Sequence, residues 1–221
     1  MSYKNLIIMG PPGAGKGTQS EKIVASLDIP HISTGDMFRE AIKSGSELGN
    51  LAASYINQGN LVPDDVTIGL VKERLSRPDC EKGYLLDGFP RTLAQAEALQ
   101  ILTKEISRPI ELVINIDVNL DALINRISGR RVCSKCGASY HVETKKSKID
   151  GICDTCGSEL IQRKDDTKES LDVRLHAYEN QTKPLINYYS EKGLLRNVNG
   201  QQEINKVFEN ILVILKGENR W

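Results

Sequence analysis

Aromatic side chains are scarce in this 221-residue sequence, at 5% with a single Trp, and histidine is scarcer still, at three. His31, His141 and His176 stand in no recognisable elbow with a Ser or Cys, so hydrolase-type covalent catalysis lacks its parts. Net charge is missing as well: 29 Lys and Arg balance 29 Asp and Glu. The whole-molecule attraction of a nucleic-acid or anionic-membrane binder is therefore absent, and any anion site must be local. No apolar run approaches the roughly 18 residues of a membrane span. The apolar stretch Leu6 to Met9 is too short for a signal peptide, and a cytoplasmic protein without a membrane partner is expected. The length suits a single α/β core with insertions.

Cysteine is present in an odd number, five, which argues against a secreted disulfide framework. Four of the five form two copies of one knuckle, Cys133-x2-Cys136-Gly137 and Cys153-x2-Cys156-Gly157, with sixteen residues between them. That doubled spacing points to a four-thiolate tetrahedral metal site rather than four unrelated thiols; zinc fits best and iron fits the same sulfurs. A closed shell of four thiolates leaves no position for water or substrate, so the metal is expected to be structural. Cys80 reads as an ordinary half-buried thiol.

Periodicity gives strands at Leu6 to Met9, Tyr84 to Leu86 and Leu112 to Ile116, the last two ending in Asp87 and Asp117. Helical patterns lie at Val66 to Leu75, Leu93 to Leu102, Leu120 to Ile127, Thr167 to Tyr189 and Gln201 to Leu215. The alternation implies a doubly wound α/β sheet. Two stretches interrupt it. Ser33 to Val62 reads as two short helices, Asp36 to Lys43 and Glu47 to Gln58, broken at Ser44-Gly45-Ser46. Arg131 to Arg163 carries the cysteines and reads as β-hairpins.

Gly10 to Lys16 resembles a phosphate-binding loop, in which glycines let backbone N–H groups converge on phosphate oxygens at a helix N-terminus. The hydroxyl comes one place late, at Thr18, because Gly17 follows the lysine. Arg126 and Arg130 are predicted on one helix face with no matching carboxylate. Two solvated arginines are the plain reading, but Arg91 lies just past the carboxyl end of a strand, where open α/β sheets bind ligands. A phosphoryl transfer to an ionised phosphate needs no general base, only positioning and dense positive charge.

Five motifs carry a closer resemblance: GPPGAGKGT at Gly10 to Thr18, STGDM at Ser33 to Met37, LDGFPRT at Leu86 to Thr92, GRRV at Gly129 to Val132 and RKDD at Arg163 to Asp166. Together the chain resembles the long-lid bacterial adenylate kinases among the nucleoside monophosphate kinases, in the subset with a four-Cys zinc lid. The resemblance implies a P-loop three-layer α/β/α core with a five-stranded parallel sheet, a helical NMP-binding insertion and a small zinc-pinned β lid. The implied division is 1–32, 63–129 and 168–221 for the core, 33–62 for the insertion and 130–167 for the lid.

The same resemblance implies reversible transfer from ATP to AMP, giving two ADP, with Mg2+ as cofactor and structural Zn2+ on Cys133, Cys136, Cys153 and Cys156. Gly13, Ala14, Gly15, Lys16, Gly17 and Thr18 would cradle the ATP phosphates. Arg126, Arg130, Ser139, Tyr140 and Gln202 would complete the ATP site. Thr34, Arg39, Asn60, Leu61 and Val62 would bind AMP with Gly88, Phe89, Pro90 and Arg91, and Gln95 would read the adenine edge. Arg163 and Arg174 would clamp the transferred group; with Lys16, Arg39, Arg91, Arg126 and Arg130 they form the catalytic set, and Asp87 would organise Mg2+. A monomer that binds no nucleic acid is the family expectation. The rivals are a kinase for UMP or CMP and a nucleotide switch bearing a zinc ribbon.

Three local expectations remain. Asp166 with Glu169 has the spacing of a capping box for the helix carrying Arg174, while Asp165 or Asp166 pairing with a lid-base arginine is the competing role. The lid tip, Thr144 to Lys148, holds three lysines where this family has a more apolar stretch. Trp221, at the chain end, is expected to hang free.

Overall fold

A computed structural model describes residues 3–217, and Trp221 lies outside the described residues. β1 (Asn5–Met9) is buried from Leu6 to Met9 and feeds the glycine loop that opens α1 (Lys16–Leu27). β2 (His31–Ser33) follows, and Ser33 serves both strand and helix. Its Oγ accepts from Asp36 N at 3.3 Å, so α2 (Thr34–Ser44) starts two residues earlier than the sequence pattern indicates. Gly45, at φ 69°, reverses the chain, and Ser46 Oγ accepts from Gly49 N to start α3 (Glu47–Ile56). The two helices cross closely because position 49 has no side chain: a Cβ there would overlap the Ala41 carbonyl. Phe38, Ala52 and Val62 give this hairpin its own small core.

The alternation resumes with α4 (Asp64–Leu75), β3 (Tyr84–Asp87), α5 (Leu93–Glu105) and β4 (Leu112–Asp117). α6 (Leu120–Ser128) stops at Gly129, and Arg130 heads β5 (Arg130–Cys133). Arg126 and Arg130 therefore do not share a helix face, which corrects that reading. β6 (Ser139–His141) and β7 (Leu160–Ile161) flank β5 in an antiparallel three-stranded sheet, as the hairpin pattern indicates.

The long helical stretch is in fact three pieces: α7 (Lys168–Ala177), a wide π turn over Tyr178–Thr182, and α8 (Pro184–Glu191). The cap of α7 is Thr167, whose Oγ1 accepts from Ser170 N at 3.1 Å. The Asp166 capping box does not form, because the Asp166 carboxylate is buried against Arg130. β8 (Leu195–Asn199) and α9 (Ile204–Leu215) complete the chain.

Five strands form one parallel sheet in the order β2-β3-β1-β4-β8. Helices cover both faces, which is why its central strands read as unbroken apolar runs. Leu6, Ile8 and Ile114 pack with Ile23 of α1 and Val207 and Ile211 of α9. Ile7, Leu86 and Val113 pack with Val71 of α4, Leu99 of α5 and Leu185 of α8. The result is a three-layer α/β/α core. The carboxyl ends of its central strands β3, β1 and β4 lie together, at the edge where such sheets bind ligands.

Candidate functional site

The loop after β1 holds three glycines in the left-handed region, Gly10 (φ 142°), Gly13 (φ 83°) and Gly15 (φ 94°). Gly10 is also a close approach: a Cβ would come within 2.6 Å of Ile116 O. Lys16 folds back across the loop, its Nζ donating to Gly10 O (2.8 Å) and Pro11 O (2.9 Å). Burial lowers its pKa to about 8; Asp87 opposes the shift, and the neighbouring cations Arg91, Arg174 and Arg130 reinforce it.

Those arginines come from separate elements, and Arg39 and Arg163 join them. Arg91 follows β3 and donates from Nε to Gly88 O (2.8 Å). Arg174 on α7 reaches Asp165 Oδ2 (3.1 Å) and Asp166 Oδ1 (3.6 Å). Arg130 at the lid base holds Asp166 through Nε (2.8 Å). Arg39 on α2 pairs with Asp36, and Arg163, returning from the lid, approaches the same carboxylate at 3.7 Å. Burial, then repulsion from Arg39 and Arg130, lowers the Arg163 pKa to about 10. Burial also lowers Arg174 to about 10. Both remain cations at neutral pH. Arg163 Nε is buried without a hydrogen-bond partner. A buried guanidinium donor left open among like charges is a place for an anion.

A cleft of about 570 Å3, open to solvent, lies between α2, α3 and the loop after β3. Thr34, Arg39, Asn60, Leu61, Val62, Gly88, Arg91, Gln95 and Arg174, all named from the sequence motifs, line it together. Phe89 and Pro90 are buried and do not line it, and Arg163 stands at the lid side. Phe38 and Ile56 add an apolar wall that the motifs did not reveal. The available signal was spacing, since Phe38 lies one turn after Thr34 on α2.

On the other side of the loop, Arg126 donates to Gly200 O (2.9 Å) and Ala14 O (3.5 Å), tying the glycine loop to the turn before α9. Gln19 Nε2 braces the same turn through Ile204 O (2.9 Å). The exposed Gln202 accepts from Asn210 Nδ2 (2.7 Å). Ser139 and Tyr140 sit on β6. The Tyr140 hydroxyl accepts from Asp154 N (2.8 Å) and lies 3.5 Å from Cys153 Sγ, so it is committed to the cysteine knuckle.

Asp87 ends β3 with its side chain 11% exposed, close enough to Lys16 to influence its charge. His31 Nε2 holds its Oδ2 at 3.2 Å. Burial works against the His31 charge, but the hydrogen bond to Asp87 and the surrounding carboxylates outweigh it and raise its pKa. A strand-end carboxylate beside a phosphate loop is the donor chemistry that suits Mg2+.

The four lid sulfurs lie within 4.8 Å of one another, with Cys133 to Cys156 at 3.4 Å and Cys136 to Cys153 at 3.6 Å. A tetrahedral zinc with bonds of about 2.3 Å sets its sulfurs about 3.8 Å apart, so the set fits such an ion. Hydrogen bonding from Tyr140 lowers the Cys153 thiol to about 6, toward the thiolate a metal requires. Lys135 N and Cys136 N both donate to Cys133 Sγ at 3.4 Å, as they would to a bound thiolate. Cys80, by contrast, is fully buried rather than half-buried, with Arg74 Nη1 at 3.1 Å.

Known proteins resemble this chain over nearly its whole length. The family model described as adenylate kinase matches residues 8–194. The adenylate kinase of Bacillus subtilis (strain 168) is 57% identical over 213 residues, covering 96% of this chain and 98% of that protein. That of Geobacillus sp. (strain WCH70) is 56% identical, with 96% and 99% covered. That of Caldanaerobacter subterraneus subsp. tengcongensis is 54% identical over 215 residues, with 97% of each covered.

Proposed function

The chain belongs to the adenylate kinase family, and on that premise we propose how its residues divide the work of moving a phosphoryl group between ATP and AMP. The reaction is reversible and yields two ADP. Lys16 and the loop from Gly13 to Thr18 hold the ATP phosphates, with Arg126 and Arg130 beside them. Contact from Ser139 and Tyr140 falls to their backbone, because the Tyr140 hydroxyl is already engaged. Gln202 lies by the ATP base. AMP occupies the lined cleft, its phosphate among Arg39, Arg91, Arg163 and Arg174 and its base beside Gln95 and the segment Asn60 to Val62.

The observation that carries this reading is the cluster of cations around Lys16, with a buried guanidinium donor of Arg163 left open. In-line transfer between two phosphates spreads negative charge over oxygens in flight, and fixed cations in a low-dielectric cleft stabilise it without reorganising. Mg2+, when bound near Asp87, supplies further neutralisation of the ATP phosphates. The insertion 33–62 and the lid 130–167 move as units over the core 1–32, 63–129 and 168–221. Their closure excludes water, which would otherwise compete with AMP as acceptor. The lid metal is zinc, and the working form is a cytoplasmic monomer that engages neither nucleic acid nor membrane. No helix of the described residues is long and apolar enough to cross a membrane.

The test is diphosphate formation from Mg-ATP with AMP, CMP, UMP and GMP in turn. Strong preference for AMP, with little ATP loss when no acceptor is added, is expected. Preference for a pyrimidine nucleotide would overturn the roles of Thr34, Gly88 and Gln95.

A further inference from the structure

Gln95 is 2% exposed, yet it is among the residues that line the cleft. Both ends of that amide are held by the protein. Its Oε1 accepts from Arg91 N (2.8 Å), and its Nε2 donates to Asp64 Oδ1 (2.7 Å). Asp64, in the first turn of α4, does not itself line the cleft. Its second oxygen, Oδ2, accepts from Thr92 Oγ1 (2.9 Å), and Thr92 Oγ1 in turn accepts from Gln95 N (3.2 Å). Asp64, Thr92 and Gln95 thus close a ring of hydrogen bonds in which every donor and acceptor is defined.

An unheld glutamine amide turns over readily, exchanging its oxygen and nitrogen at little cost. Here a backbone N–H, which can only donate, faces one end, and a carboxylate accepting on both oxygens faces the other. Turning the amide over would set N–H against N–H and oxygen against carboxylate, losing two buried hydrogen bonds at once. The lock leaves one N–H and one lone pair of the amide, in a fixed order. Adenine offers a 6-amino donor beside the N1 acceptor; hypoxanthine and guanine offer a 6-oxo acceptor beside an N1–H donor. One amide orientation therefore matches adenine and the reverse matches the 6-oxo purines.

We propose that Asp64 is a specificity-determining positioning residue: by fixing which end of the Gln95 amide faces the base, it makes the monophosphate site accept 6-amino and reject 6-oxo purine nucleotides. This rests on the reading that AMP is the acceptor and that Gln95 meets its base. Asp64 touches no substrate; it acts through Gln95.

The experiment compares AMP with inosine monophosphate, which differs at the 6-position and N1 without adding the 2-amino group of GMP. The quantity read is the ratio of kcat/KM for the two acceptors, measured on one preparation. That ratio cancels the fraction of chains folded, so a destabilised variant remains informative. Asp64→Asn keeps the shape but can present a nitrogen as well as an oxygen to Gln95, so the Asp64 end of the lock is no longer obligatory and only Arg91 N still fixes the amide. The AMP preference should fall by about tenfold or more, chiefly through a higher KM for AMP, and Asp64→Ala should do the same. A ratio unchanged in both variants, with only a lower Tm, would reduce Asp64 to a structural residue in the first turn of α4 and overturn the proposal. Gln95→Leu separates the two layers: if it too leaves the ratio unchanged, the placement of the base against Gln95 fails. If it collapses the ratio while the Asp64 variants do not, the lock alone fails.

Discussion

Lys16 shows how one side chain is prepared for its ligand. Its ammonium is buried and surrounded by Arg91, Arg130 and Arg174, and its pKa is lowered from 10.5 to about 8. The sign of the linkage follows. Between pH 8 and 10.5 the unfolded chain keeps this proton while the folded chain gives it up. Stability from this group therefore rises with pH across that window, and the charge is a burden to the fold below it. A triphosphate in the loop reverses the imbalance by bringing negative charge to Lys16, which raises its pKa again. Binding ATP without Mg2+ or acceptor near pH 8 should then take up a fraction of a proton, at most about half. Calorimetry in two buffers of different ionisation enthalpy measures it. Uptake that persists unchanged in Lys16→Met would assign the proton to another group. The same substitution should lower kcat by about 10²–10³, the usual effect of removing one preorganised charge from the oxygens in flight.

The lid is the element least able to fold by its own packing. Its apolar centre consists of Cys133, Tyr140 and Cys153, with Ala138, Cys156 and Leu160 half-buried around them. Val142, Ile149, Ile152 and Ile161 remain exposed. So small a core cannot offset the entropy of ordering some thirty residues, and the metal crosslink proposed for the four cysteines would make up the difference. Removing the metal with a strong chelator should open the lid to proteolysis between Glu143 and Cys153 while leaving the sheet's thermal transition in place. Elemental analysis of the released ion identifies it; iron instead of zinc, or a lid equally resistant after chelation, would contradict the assignment. The knuckles were legible because ligand spacing is a local property of the sequence. β8 was not: Arg196, Asn197 and Asn199 break its apolar pattern, since it sits at the sheet edge and pairs only with β4. β2 was too short at three residues to show a period. The Asp166 cap failed for a tertiary reason, as Arg130 claims that carboxylate across 36 positions. The arginines of the site were found from motifs, whereas Asp64 was missed because only the fold brings it to Gln95, 31 residues away.

Across the whole molecule, the two insertions and the core are joined over the cleft by contacts that neither the sheet nor the cysteines require. Lys145 at the lid tip reaches Glu21 on α1 at 2.8 Å, and its ammonium stands 5.8 Å from the centre of the Tyr140 ring. Lys43 at the end of α2 donates to Ser134 O in the first knuckle at 3.1 Å. On the proposed closure of the insertion and the lid over the core, each joins parts that separate when nucleotides enter or leave, so each would favour the closed arrangement. Exposed contacts of this kind contribute about 0.2–1 kcal/mol each, and the two together should change the closed population by about two- to thirtyfold. Removing both in Lys145→Ala with Lys43→Ala should raise the KM for both substrates within that range. It should leave kcat unchanged or higher, because opening to release product limits many enzymes that close in this way. Salt screens exposed charges, so raising ionic strength should move the native enzyme toward the KM of the double variant and change the variant much less. The lysines of the lid tip then have a role that follows from where they fold: they replace apolar packing at the tip with a contact to α1 weak enough to break on every turnover. Steady-state kinetics across a salt series decides the matter, since equal salt sensitivity in both proteins would leave Lys145 and Lys43 as surface charges only.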